Sequence, residues 1–271
     1  MSATHPWSHI VITGASSGFG AEFARQLAPT AKTLILTARR ADLLQSLADS
    51  LQSAHPGLTV HCLPCDLASE SDRAALPARC TALGITPDCL INNAGLGEYG
   101  TFEDAEWSKL HQVLAVNITA LTHLIHLFIP LLKTHPASAI LNVSSLAGET
   151  PIPDFAVYAS SKAYVTRLGE ALRIELRPLG IRLTTLCPGP SPTQFGQTAQ
   201  RPGQHLPTAT FARKSPAHVV ATGLRALAAG HADAFPGFIV WTSSRLLKLL
   251  PTPLLRLILS RRPRKARPIN P

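Results

Sequence analysis

Short runs of consecutive apolar residues alternate with amphipathic stretches along most of the chain, and this alternation restricts the folds open to it. The runs at 9–13 (HIVIT), 33–37 (TLILT), 58–62, 88–91, 139–143 and 181–186 read as strands. Most of them are continuously apolar rather than alternating, so such strands are covered on both faces, as in a parallel sheet. Between them, 18–27, 41–53, 70–83, 105–133 and 155–177 read as helices, with a bend expected at Pro130. After a loop, 216–229 is a further helix, and the β-branched, aromatic run at 238–241 reads as a last short strand.

Regular strand–helix alternation with right-handed crossovers gives an α/β, doubly wound parallel sheet of Rossmann type, three layers (α/β/α) in a single domain. A chain of 271 residues with 45% hydrophobic content is large enough to bury such a core. No repeat of fixed period runs through it, which argues against a solenoid or propeller. On this kind of sheet, ligands sit beyond the carboxyl ends of the strands.

The net charge of +9 is not a property of the whole chain. No acid lies beyond Asp233, whereas Arg245, Lys248, Arg256, Arg261, Arg262, Arg264, Lys265 and Arg267 all do. The body is near neutral and the tail is basic, which by charge favours anionic partners such as lipid headgroups or nucleic acid, although no nucleic-acid partner is expected. Residues 1–240 are expected to form the catalytic domain and 241–271 a basic amphipathic tail. That tail either packs on the body or a second subunit, or lies on an anionic membrane surface. Its apolar stretches are too short and too interrupted to span a bilayer. The N-terminal stretch lacks the pattern of a secretory leader. With five cysteines, an odd number, this points to free thiols and a cytoplasmic, possibly membrane-peripheral, setting. Cys62 and Cys65 form C-x-x-C, but no second ligand pair accompanies them, so no metal site is expected.

The first strand runs into Thr13-Gly14-Ala15-Ser16-Ser17-Gly18-Phe19-Gly20. Glycines there allow the backbone to approach a pyrophosphate, and the helix that follows offers free N–H groups and the positive end of its dipole. The second strand ends in Ala38-Arg39-Arg40, where an acid would recognise the ribose hydroxyls of NAD. Two arginines in its place favour the 2′-phosphate of NADP(H), with NAD(H) the less favoured alternative. Asp42 is expected to cap the next helix.

Tyr158 and Lys162 are four residues apart on one helix and share a face. A cation beside a phenol is expected to lower its pKa and let it exchange a proton with a carbonyl or hydroxyl. Ser144 and Ser145 end the fifth strand, Asn92-Asn93-Ala94-Gly95 follow the fourth, and Asn117 interrupts an apolar helix, where a buried amide must find partners.

With these elements in this order, the first 190 or so residues resemble the short-chain dehydrogenase/reductase family. The likeness implies that Gly14, Ser16, Ser17, Gly18, Phe19 and Gly20 hold the pyrophosphate and that Arg39 and Arg40 face the 2′-phosphate. It implies that Asp66 and Leu67 hold the adenine, and that Asn93, Ala94 and Gly95 line the cofactor. Tyr158, Lys162, Pro188, Gly189 and Thr193 would surround the nicotinamide and its ribose. The implied catalytic set is Asn117, Ser145, Tyr158 and Lys162, with Ser145 chosen over Ser144 for its thirteen-residue offset from Tyr158. The resemblance also implies interconversion of a small-molecule carbonyl compound and its alcohol, a substrate loop near 190–215, and a homodimer or homotetramer. Pro190 and Pro192 depart from the family pattern and stiffen the turn before Thr193. Glu98, Tyr99 and Phe155 are left open between pocket and packing roles. Two alternatives stand beside the enzyme reading: a non-catalytic NADP(H)-responsive sensor, and a membrane-peripheral reductase of lipid-like substrates.

Overall fold

The computed structural model describes residues 6–201 and 213–249, with positions 251, 253, 254 and 257 beyond them. Seven parallel strands form one sheet in the order β3-β2-β1-β4-β5-β6-β7. The strands are β1 (His9–Thr13), β2 (Thr33–Thr37), β3 (Thr59–Cys62), β4 (Cys89–Asn92), β5 (Ala139–Val143), β6 (Arg182–Leu186) and β7 (Asp233–Ala234). Strand order reverses between β1 and β4, so the loops leaving them diverge and open a crevice at their carboxyl ends.

Because side chains alternate across a sheet, each apolar strand supplies two cores. Ile10, Ile12, Leu34, Leu36, Ile91 and Leu141 pack under α1 (Gly18–Leu27), α2 (Ala41–Ala54) and the later helix α8 (Pro216–Ala228). Val11, Ile35, Leu90, Ile140 and Leu183 face α3 (Glu70–Ala82), α5 (Leu121–Leu132) and α6 (Ala156–Leu176). This is the three-layer arrangement implied by the continuous apolar strands.

The long helical segment begins as α4 (Trp107–Leu114), widens into a π-helical stretch at Ala115–Ala120, and continues through Pro130 as α5. Residues 107–132 are long and apolar enough to cross a membrane by length and composition. Here their apolar side, with Leu121, Leu124, Ile125, Phe128 and Leu132 buried, covers one face of the sheet.

The strand expected at 238–241 is instead the start of a helix, α9 (Phe238–Leu249). Gly237 adopts φ +101°, turning the chain after β7, and its carbonyl accepts from Trp241 N at 3.0 Å. Val240 and Ser244, one turn apart, are buried, whereas Phe238 is 77% exposed. The apolar run therefore has one buried stripe of helical period, not two strand faces. The sheet's last strand is the short β7, which pairs with β6 at Thr185–Asp233 and Leu186–Ala234. The boundary expected at 240 falls inside α9. Most of the basic tail, and 202–212 of the expected substrate loop, lie outside the described residues.

Candidate active site

The crevice is a cleft of about 710 Å³ running from the β1–α1 turn to the loop after β6. At one end, Gly14 holds φ +64°, and a methyl group on Gly20 would lie 2.2 Å from the Gly14 carbonyl oxygen. The turn closes this tightly only because both positions lack a side chain. Ser17, at the N-cap of α1, makes no side-chain cap, which leaves the first-turn N–H groups of the helix available to a ligand. The Ser16 and Ser17 hydroxyls instead accept from Arg40 Nη2, at 3.0 and 3.1 Å. Arg40 thus lies across the turn with Arg39 exposed beside it, and both line the cleft. Asp42 sits in the first turn of α2, and the N-cap position falls to Arg40.

Asn93 ties this turn to β4. Its backbone N–H donates to Thr13 Oγ1 at 3.0 Å and its side-chain amide to the Thr13 carbonyl at 2.9 Å. Ala94 N donates to the same hydroxyl at 3.0 Å. Asn92 is buried within the sheet and donates to Asn142 Oδ1 at 3.0 Å. Asp66 and Leu67 line the cleft beyond β3. The Asp66 carboxylate accepts from Ala68 N at 3.0 Å, and the Leu67 carbonyl accepts from the buried Arg73 at 2.6 Å. A glycine cradle that a Cβ would fill, an uncapped helix N-terminus and two arginines beside it fit a phosphorylated dinucleotide.

At the centre, β5 delivers two serines to different environments. Ser144 is buried, donates to the Lys162 carbonyl at 2.8 Å, and bonds the Thr166 hydroxyl at 2.7 Å. Ser145 caps the short 3-10 turn at Leu146–Glu149, accepting from Ala147 N at 3.1 Å, and lines the cleft together with Tyr158, near enough to lower the phenol's pKa. Lys162 Nζ donates to the Val143 carbonyl at 2.8 Å. A Cβ on Gly95 would lie 3.2 Å from Nζ and 3.4 Å from Asn117 Oδ1, so the backbone of the β4 loop passes directly over both side chains.

Asn117 occupies the π-helical stretch. Its amide donates to the Leu96 carbonyl and Ser161 Oγ, both at 2.9 Å, and its Oδ1 accepts from Leu96 N at 2.8 Å. The extra residue of the π turn directs Asn117 at the loop backbone. Pro188 accepts from Leu146 N at 2.9 Å, which places the Pro188-Gly189 turn beside Ser145. Thr193 faces Gly18 across the cleft, with its Cβ 3.7 Å from where a Cβ on Gly18 would lie.

Burial dominates the titration of the central pair. It pushes the Tyr158 phenol from 10.0 up to about 12, and the nearby Ser145 hydroxyl offsets only part of this. The same desolvation lowers Lys162 from 10.5 to about 8. The expectation that Lys162 makes the phenol acidic is therefore not met in the protein alone. Nζ lies 5.8 Å from the ring centroid and is committed to Val143, so loss of water outweighs its charge.

Of the apolar wall, sequence reasoning left Tyr99 and Phe155 open between pocket and packing, and it missed Phe195. Phe155 stacks on Tyr158 at 4.3 Å, Phe195 lies 5.2 Å from the Tyr158 ring, and Tyr99 meets Phe155 edge-on at 5.7 Å. Phe195 lies on α7 (Phe195–Thr198), inside the expected substrate loop, and nothing in the spacing of that loop marks it. Tyr99 and Phe155 line the cleft, while Glu98 is buried in an ion pair with Arg201.

Residues 8–203 match the family model for short chain dehydrogenases. The chain is 35% identical over 192 residues to a sulfoacetaldehyde reductase of Chromohalobacter salexigens, covering 69% of this chain and 73% of that protein. A short-chain dehydrogenase from Sphingobium yanoikuyae, solved in complex with NADPH, superposes with TM-score 0.77 at 28% identity, covering 96% of this chain and 98% of that one. A short chain dehydrogenase/reductase from Burkholderia phymatum, solved in complex with NAD, gives TM-score 0.78 at 25% identity over 99% of both chains. Fold, cleft and relatives agree on a nicotinamide-dependent oxidoreductase acting on CH–OH and C=O groups, and the chain belongs to the short-chain dehydrogenase family.

Proposed function

We propose that this protein is an NADP(H)-dependent reductase in which the Tyr158 phenol protonates a substrate carbonyl oxygen, the reverse step oxidising the alcohol. The observation on which this rests is the hydroxyl pair of Ser145 and Tyr158, set in the same cleft as the glycine turn and Arg40. Ser145 donates a hydrogen bond to the carbonyl oxygen and orients it. Tyr158, with its pKa raised to about 12, is protonated at neutral pH and arrives as an acid, which suits reduction. Lys162 keeps a cation beneath the loop at Gly95 and binds ribose hydroxyls. Asn117 fixes the Leu96 backbone and links Lys162 to water. Gly14 to Gly20, Asp66, Asn93 to Gly95, Pro188, Gly189 and Thr193 would hold the cofactor, which when bound would supply the hydride. Arg39 and Arg40, with no acid ending β2, support NADP(H) over NAD(H).

NADPH oxidation over a panel of carbonyl compounds tests the reading. Tyr158→Phe should lower turnover by about 10²–10⁴-fold. Arg39→Asp should shift preference toward NADH. Undiminished turnover by Tyr158→Phe, or NADH preference in the parent protein, would remove the corresponding assignment.

A second reading concerns partners. Helix α9 exposes Phe238, Trp241 and Leu246, with Arg245 over the Trp241 ring at 5.9 Å, ahead of a tail rich in base and free of acid. An anionic membrane surface fits that combination, and a homo-oligomer contact is the competing use of it. Co-sedimentation with phosphatidylserine vesicles, comparing the full chain with one ending near Trp241, separates the two.

A further inference from the structure

Beyond Ser145 and Tyr158 the cleft is walled by Leu96, Tyr99, Val116, Ile152, Phe155 and Phe195. Among the described residues, the Lys, Arg, Asp and Glu side chains lining the whole cleft are Arg39, Arg40 and Asp66 at the nucleotide end and Lys162 at the centre. Lys162 Nζ is turned to Val143 O, beneath the cofactor loop. Among the described residues the far wall therefore offers an anionic substituent no counter-charge, and burying one there without a partner is strongly unfavourable. Aromatic rings on that wall offer dispersion contact and desolvation to an apolar group instead.

The wall is held in place. A methyl group on Gly97 would lie 2.7 Å from Phe195 Cζ and 2.9 Å from Ala199 Cβ, so Gly97 is the seat on which Phe195 rests. Tyr99 N donates to the Ala199 carbonyl at 2.7 Å. Just beyond, Arg201 pairs with Glu98 and donates to the Thr101 carbonyl at 2.9 Å, with both ion-pair partners largely buried. These contacts join the loop bearing Phe195 to the loop after β4, so Phe195 is positioned from two sides.

We propose that the preferred substrates are uncharged ketones or aldehydes with a bulky apolar or aromatic arm, seated against Tyr99, Ile152, Phe155 and Phe195, and that Phe195 on its Gly97 seat sets the size of that arm. This rests on the assignment of Ser145 and Tyr158 as the carbonyl site. It sets this cleft apart from one selecting a small anionic aldehyde.

The test pairs kinetics with binding. NADPH oxidation is followed with acetone, 2-butanone, 2-hexanone and acetophenone, and with sulfoacetaldehyde and glyoxylate as small anionic counterparts. Among the ketones, kcat/KM should rise roughly fourfold for each added methylene. Acetophenone should exceed both anions by at least about a hundredfold, the range set by loss of a few kcal/mol. Phe195→Ala and Gly97→Ala should each raise KM for acetophenone about tenfold. A higher kcat/KM for either anion, or indifference to chain length, overturns the proposal without touching the assignment of Tyr158. If no carbonyl oxidises NADPH, the catalytic assignment falls, and binding to the NADP⁺-mixed protein by calorimetry decides the pocket. Acetophenone binding more tightly than glyoxylate, and weakened by Phe195→Ala, then supports it. Equal or undetectable binding of both overturns it.

Discussion

Lys162→Met should stabilise the protein at pH 7 while abolishing its activity. The side chain is 4% exposed, its Nζ donates to a neutral acceptor, and among the described residues no carboxylate lies within ion-pair range of it. Burial lowers its pKa from 10.5 to about 8. The difference corresponds to roughly 3 kcal/mol of preference for the neutral amine. At pH 7 the folded protein nevertheless holds the cation, because the lowered pKa still lies above that pH. Between pH 8 and 10.5 the unfolded chain binds more protons than the folded one, so stability rises with pH. Integrated from pH 7 to 9.5, this one group adds about 2 kcal/mol. Methionine has similar length and no charge, but it leaves the Val143 carbonyl without its donor, which costs about 1–2 kcal/mol.

The balance makes Lys162→Met about 1–2 kcal/mol more stable than the parent at pH 7 and near parity at pH 9.5. Urea unfolding followed by tryptophan fluorescence, at both pH values and for both proteins, measures it. The thiols and Tyr158 titrate in both proteins and largely cancel in the difference. A variant less stable than the parent at pH 7, or a difference that does not move with pH, would show that the buried ammonium is compensated and refute the reasoning.

Three further outcomes follow from the same geometry. Tyr158 has a folded pKa raised above its unfolded value, so its contribution to stability is complete below pH 10 and lost as pH climbs through about 12; difference absorbance at 295 nm against Tyr158→Phe should place one phenol in that range, and titration near 10 would contradict the burial. Ser144→Ala should cost about 1 kcal/mol by removing its two buried hydrogen bonds to α6, where the Thr166 hydroxyl still donates to the Lys162 carbonyl, whereas Ser145→Ala should lose activity with a smaller change in urea midpoint; the reverse pattern would exchange their roles. Arg201→Met leaves Glu98 buried without its cation and should destabilise by about 3–5 kcal/mol, an effect that Glu98→Gln in the same chain partly relieves, so strictly additive losses would mean the pair is not coupled.

The division between what could be read from the chain and what could not follows sequence distance. Six of the seven strands were legible because most are near-continuous apolar runs, whereas the two-residue β7 carries no such run; the crevice was legible because glycine-rich segments follow β1 and β4. Ser145, Tyr158 and Lys162 come from β5 and the next helix, so their grouping needed only local spacing. The misread run at 238–241 shows the limit of composition: Phe-Ile-Val-Trp satisfies strand propensity, but Gly237 and the burial of Val240 and Ser244 decide for helix. The acidity expected of Tyr158 failed for another reason, since sequence places the cation one turn away but does not report the water lost from both groups. The substrate wall is more distant still. Phe195 acquires its position from Gly97, and Arg201 from Glu98, contacts that join segments about a hundred residues apart with no motif at either end. Chemistry in this fold is built from neighbours along the chain and can be read as pattern, while selectivity is built where two unrelated loops meet. Substitutions at Gly97, Phe195 or Arg201 should therefore change which carbonyl is chosen before they change how it is reduced.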